Sequence, residues 1–92
     1  MNTILISYDL GLPETSNDYR RLTQYFERYA LRAKPLWSVW MIVTSKSVTE
    51  IRDEISPLLD GNDRLLVIDV SKKPAAWRNI SSPAGDWIKA NL

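Results

Sequence analysis

Three short apolar runs set what this chain can fold into. Ile4-Leu5-Ile6-Ser7-Tyr8-Asp9-Leu10, Val39-Trp40-Met41-Ile42-Val43-Thr44 and Leu65-Leu66-Val67-Ile68-Asp69-Val70 are rich in branched and aromatic residues. Runs of this length between turn residues read as buried strands. None approaches the roughly 20 apolar residues of a membrane-spanning helix, so no membrane partner is expected. The first run ends on a carboxylate and breaks at Gly11 and Pro13. Burying a strand that ends in Asp9 is costly unless the acid is paired, hydrogen-bonded or metal-bound. Asp9 is the chain's leading functional candidate; the alternative is that it only closes a turn.

The segments between these strands carry a different period. After a loop from Gly11 to Ser16, with Ser16 or Asn17 as cap, Tyr19, Leu22, Phe26 and Tyr29 recur three and four apart. That is the apolar stripe of a helix, and Arg20, Arg21, Gln24, Glu27 and Arg28 lie off it. Ser47 and Glu50 have the spacing of a capping box. Val48, Ile51, Ile55 and Leu58 or Leu59 then form the apolar face of a second helix, which Pro57 should kink or end. Arg32 to Trp37 reads as a short strand whose Pro35 confines it to an edge or a bulge. Ser38 is the hinge to the next strand, in a tight hairpin or a single bent strand. Asp60 to Asp63 is a turn.

From Ser71 the chain turns polar and basic. Ser82 before Pro83 suits a helix cap and first turn, predicting a short helix through Trp87 and Ile88. Residues 1–70 thus form one domain. Residues 71–92 form a tail packed on the body or on a dimer partner, with Trp77 and Trp87 fastening it. Trp37, Trp40, Trp77 and Trp87 read as packing anchors at the dimer or tail interface. The order strand–helix–strand–strand–helix–strand predicts an α+β fold, the ferredoxin-like βαββαβ sandwich, followed by the tail and its short helix. Right-handed crossovers set the strand order 4-1-3-2.

A sheet with helices on one face only should show alternating strands. These strands are apolar on both faces, so something must cover the second one: the tail, a second copy, or both. A two-fold homodimer packed sheet to sheet is the expectation. Alternation places Ile4, Ile6 and Tyr8 on one face of the first strand and Leu5, Ser7 and Asp9 on the other. With the first set under the helices, Ser7 and Asp9 face the partner, and two Asp9 carboxylates approach each other. Close carboxylates need a shared proton or a cation, and magnesium held by an Asp from each subunit satisfies that need.

Composition narrows the chemistry. The 92 residues include neither histidine nor cysteine. Imidazole bases, thiol nucleophiles, disulfides and nitrogen or sulfur metal sites are thereby excluded, leaving oxygen ligands. The N-terminus has no signal-peptide succession, which makes the cytoplasm the expected location. Net charge is +1, unevenly placed: residues 15–37 and 71–92 each carry +3, and residues 44–70 carry −3. Arg20, Arg21, Arg28, Arg32 and Lys34 are the candidate phosphate-contacting residues.

Ser7-Tyr8-Asp9-Leu10 and Ser38-Val39-Trp40, in this element order from Thr3 to Val70, resemble the Cas-two family of CRISPR-associated proteins. The run from Asp63 to Ile68, with Ala76-Trp77-Arg78 and Trp87-Ile88-Lys89 in the tail, resembles its SinR-like branch. The resemblance implies a ferredoxin-like homodimer. Family members include magnesium-dependent nucleases and non-catalytic dimers that bind duplex DNA in spacer integration. It also implies that Asp9 is the catalytic and metal-site aspartate, with Tyr8 and Ser38 beside it. The chain departs from the family at Pro35-Leu36-Trp37, where polar or basic residues usually precede the serine, and in its tail.

Two functions from different classes follow. One is a binding or scaffolding dimer for duplex DNA, RNA or an unknown protein partner. The other is a magnesium-dependent endonuclease, a ribonuclease or toxin-like enzyme, using Asp9 from each subunit. RNA stacking on an open sheet face is a third mode for this fold, but the chain lacks that motif's aromatic pattern.

Overall fold

The computed structural model describes residues 1–11 and 16–92. Strand β1 (Asn2–Asp9) is followed by helix α1 (Ser16–Phe26), strands β2 (Arg32–Leu36) and β3 (Val39–Thr44), helix α2 (Val48–Ile55), strand β4 (Arg64–Asp69) and helix α3 (Ser82–Asn91). The four strands form one sheet in the order β2-β3-β1-β4, with every neighbouring pair antiparallel. This is the expected order read from its other edge. The fold is α+β, and no described helix is long and apolar enough to cross a membrane.

Local chemistry explains the element ends. The Ser47 side chain accepts from the Glu50 N–H at 3.1 Å while the Glu50 carboxylate accepts from the Ser47 N–H at 3.2 Å. This reciprocal cap satisfies two N–H groups that a helix start otherwise leaves free. At the other end, Pro57 stops α2 at Ile55 and the chain tightens into one 3-10 turn, Ser56–Leu58. Trp37 and Ser38 make a two-residue hairpin turn between β2 and β3. The β2–β3 register shifts between Ala33 and Leu36, where Pro35 has no N–H for the ladder.

Several boundaries differ from the sequence expectations. Strand β2 ends at Leu36 rather than Trp37, and β4 starts and ends one residue earlier than its apolar run. Helix α1 ends at Phe26, so Tyr29 lies beyond it. Tyr25, outside the expected stripe, is buried. The cap of α3 is Ser81, whose hydroxyl accepts from the Ala84 N–H. Serines stand at both 81 and 82, and the chain uses the first. Most of the loop before α1, Pro13 included, lies outside the described residues, whereas Ser16 and Asn17, the expected caps, are the first two residues of the helix itself. Asn17 sits inside the helix and accepts from Arg20.

One face of the sheet is fully covered. Ile4, Ile6 and Tyr8 of β1 and Trp40 and Ile42 of β3 pack against Leu22, Tyr25 and Phe26 of α1 and Ile51 and Ile55 of α2. Trp40 stacks on Phe26, with centroids 4.8 Å apart and planes 17° from parallel. It anchors the chain's own core rather than a dimer or tail interface.

The second face is half covered, by the tail. The Thr3 N–H donates to the Ser71 hydroxyl at 2.8 Å, and the Thr3 hydroxyl donates to the Asn91 carbonyl. Ile88 is buried. Gly85 is where α3 meets the Trp77 indole, which a Cβ there would approach to 3.2 Å. The tail therefore packs on the body of its own chain.

Candidate functional site

Residues opposite one another in an antiparallel pair share a face, so the register assigns each side chain. On the face away from α1 and α2, Leu36, Val39, Ser7 and Leu66 form one row across all four strands. Ala33, Met41, Leu5 and Ile68 form the next. The tail buries Met41 and half-buries Leu5. It leaves Leu36 55 %, Leu66 53 % and Ile68 42 % exposed.

Asp9 lies at the end of β1 on this open face and is exposed. Its cross-strand neighbour is Arg64, and the two flank a shallow depression with Ser7 and Leu66. The nearby acid Asp63 is already committed. Its carboxylate accepts from the Gly11 N–H and from the Asp60 N–H, both at 2.7 Å, tying the end of β1 to the turn before β4. The Asn62 side chain fills the space a Cβ on Gly11 would need.

The family-like residues divide between the two faces. Ser7 and Asp9 are on the open face, and Tyr8 is buried beneath the helices. The Tyr8 N–H donates to the Ser38 carbonyl at 3.2 Å, so Ser7, Tyr8, Asp9 and Ser38 do meet at one end of the sheet. Burial raises the Tyr8 hydroxyl pKa. The Trp40 indole beside it offsets this in part, although its Nε1 makes no well-formed hydrogen bond among the described residues.

The donor set tests the magnesium expectation. Among the described residues, Asp9 brings its carboxylate to this end beside Ser7 and opposite Arg64. Among the described residues no three acids group as a metal site. Magnesium is commonly held by one or two carboxylates plus substrate phosphates. The described residues of one chain therefore make a poor resident site, and Asp9 from two chains would be required.

The five candidate cations do not form one cluster. Arg20 and Arg21 are exposed on α1, held by its own first turn: Arg20 donates to Asn17, and Arg21 pairs with Asp18 at 2.7 Å. Arg28 and Arg32 both lie beyond the last residue of α1. There Arg28 lies 5.4 Å from the Tyr25 ring centroid and Arg32 donates to the Tyr29 carbonyl at 2.8 Å. Lys34 is on edge strand β2 with its ammonium 4.9 Å from the Trp37 ring centroid.

A polar ring that the sequence did not disclose lies beside Arg28. The Tyr25 hydroxyl donates to Glu54 at 2.7 Å and accepts from Tyr29 at 2.7 Å. Lys46 reaches Glu54 at 2.9 Å and the Tyr29 hydroxyl at 3.5 Å. The hydrogen bond to Lys46 holds the Glu54 carboxyl below its ordinary pKa, and the same bond raises that of Lys46. Burial, then the bonds to Tyr29 and Glu54, drive the Tyr25 pKa far upward. Tyr25 and Tyr29 stand four apart, a visible spacing. Nothing in the sequence pairs them with residues 46 and 54.

No protein-family model matches the chain.

Proposed function

We propose that this protein is a Cas-two-like, cytoplasmic homodimer with a ferredoxin-like arrangement that binds nucleic acid as a binding or scaffolding module. The observation that carries this reading is the partly open row of Leu36, Val39, Ser7 and Leu66. The helices cover one face and the tail covers part of the other, leaving an apolar strip at the Asp9 end. Removing apolar surface from water contributes about 25 cal/mol per Å², and a two-fold mate covers the same strip on both copies. Arg20, Arg21, Arg28, Arg32 and Lys34 stay outside that strip or at its margin, available to duplex phosphates. The Cas-two-like motifs around Asp9 and Ser38 support the same class.

The test is the mass in solution together with duplex binding across a salt series. A dimer whose duplex affinity falls steeply with salt, and falls further in an Arg20→Gln/Arg21→Gln variant, fits the reading. A monomer, or salt-independent binding, rejects it.

A second reading is favoured by one observation: Asp9 lies on the rim of the strip, so covering it with a second copy would bring two Asp9 carboxylates to the interface. Magnesium shared there would supply Lewis-acid stabilisation of phosphodiester cleavage. Ser7 would orient groups beside it and Arg64 would meet a neighbouring phosphate. Cleavage of RNA or duplex DNA that requires magnesium, stops with EDTA and disappears in Asp9→Ala while the dimer persists would establish the endonuclease. Cleavage that survives Asp9→Ala would reject it.

A further inference from the structure

The tail adds a surface beyond the one the duplex reading uses, meeting it at Arg32 and Lys34. Three neighbouring depressions run along α3 and the segment before it. The first lies between the open sheet face and the tail, lined by Leu5, Met41, Lys73, Trp77 and Ile88 among others. The second continues past Trp77 to Lys73 and Lys89. The third lies between α3 and β2, where Trp87 meets Arg32 and Lys34.

Two properties recur in all three. Every charged side chain lining them is a cation: Arg32, Lys34, Lys73 and Lys89. Each also has a tryptophan beside those cations. Trp77 is 37 % exposed within the first and second. Trp87 is half-buried in the third. Trp37 is 76 % exposed at the β2–β3 turn next to Leu36, with Lys34 over its ring. An indole this exposed offers an apolar face and a polar edge to a flat partner.

We infer that this tail face binds single-stranded nucleic acid, its bases stacking on Trp37 and Trp77 and its phosphates meeting Lys34, Lys73, Lys89 and Arg32. Cations interleaved with exposed aromatics suit a chain of alternating phosphates and flat rings. A duplex keeps its bases inside and offers only the charge. An acidic peptide brings charge without a ring at every step. The depressions, about 250, 300 and 350 Å³, lie around the low end of the roughly 300–1,000 Å³ of small-molecule sites. They suit successive single rings better than one large ligand. Stacking and phosphate contact read neither sequence nor the 2′-hydroxyl, so RNA and DNA strands bind alike.

The inference goes beyond the proposed function by adding α3, the segment before it and Trp37, and it overlaps that reading at Arg32, Lys34 and Leu36. The test is fluorescence anisotropy of labelled twelve-nucleotide dT and U strands and of a twenty-base-pair duplex, with mass measured in parallel. The wild-type chain should bind both strands and quench its own tryptophan emission. Trp37→Ala, at a side chain with little to lose from folding, should weaken the strands about tenfold and leave the duplex unchanged. Trp37→Phe should recover most of the loss, and Lys34→Gln/Lys73→Gln should flatten the salt dependence. Arg20→Gln/Arg21→Gln should lower duplex affinity alone. Strand binding by a monomer would retain this inference and reject the dimer. Strand affinity unchanged in Trp37→Ala, no strand binding, or displacement of the strand by an oligo-glutamate peptide would each overturn it.

Discussion

Glu54 shows how a single exposed carboxylate can organise its surroundings. It receives hydrogen bonds from Tyr25 on α1 and from Lys46 on the loop before α2, so one acid joins two helices and a loop. Both members of its ion pair are more than a third exposed, and screening keeps the pair under about 1 kcal/mol. The sign of its pH dependence follows from the lowered pKa. In the unfolded chain Glu54 takes up its proton near the ordinary value of about 4.3, while in the folded chain it holds out to lower pH. Its stabilisation is therefore complete above that ordinary value and lost as pH falls through the folded one. Urea melts of Glu54→Gln should show a modest loss at pH 7 that shrinks toward zero below about pH 4. A loss that does not vary with pH would place the contribution in packing instead. Asp9 contrasts with it, because its only placed neighbour of opposite charge is Arg64 across the strand pair, with no ion pair between them among the described residues. Asp9→Asn should change stability by no more than about 0.5 kcal/mol, measured by the same melts.

Among the elements, α2 carries the clearest local signal and α3 the weakest. The reciprocal Ser47–Glu50 cap is written into four consecutive residues, and Ser47→Ala should cost about 1 kcal/mol, visible as a lowered melting temperature of the whole domain. Helix α3 depends instead on what it lands on. Ile88 is its buried apolar anchor and Gly85 its point of closest approach to Trp77. Lys72 and Asn79, both at positive φ, bracket the segment that delivers it. Left-handed backbone costs an L-residue roughly 1–2 kcal/mol, so this path holds only while the tail contacts hold. Ile88→Ala should speed amide exchange across residues 82–92 while α1 and α2 keep their protection. Equal loosening of all three helices would mean that the tail is part of the cooperative core.

For the molecule as a whole, the sheet's second face decides the behaviour. Core packing closes one side, and the tail closes the Thr3–Met41 end of the other. The Leu36–Leu66 end remains apolar and open. Leu66→Lys changes a side chain that is half exposed in the single chain, so folding should survive. If a second copy covers this strip, the variant should elute and scatter as a monomer at concentrations where the wild type is a dimer. An unchanged mass would move the interface elsewhere. The same geometry makes the tail a boundary: any mate on this face must sit beside α3 rather than across the whole sheet.

Much of this was legible in the residues themselves. Short branched runs specify strands because each position is half of a two-residue repeat, and three- and four-residue spacing specifies helices in the same local way. The strand order followed from the handedness of the connections, and the Ser7–Tyr8–Asp9 alternation correctly separated inner from outer side chains. Apart from element ends, the main misses concern what a side chain meets once the chain is folded. Tyr25 belongs to the core because it joins the cluster between the sheet and the two helices, with its hydroxyl reaching Glu54 of α2. Trp40 packs inward because Phe26 lies above it. Trp37 stands in solvent because a two-residue turn carries it past the sheet. Asp9 was read as the end of a buried strand and is exposed, whereas Asp63 is set apart from it by the Asp60 N–H in its own turn and by the Gly11 N–H that only folding brings within reach. Periodicity, caps and turns are local and were determined by the sequence alone. Which face the tail covers, which tryptophans remain open and which cations gather beside them depend on contacts between residues as much as 88 positions apart, and the tertiary structure alone decided those.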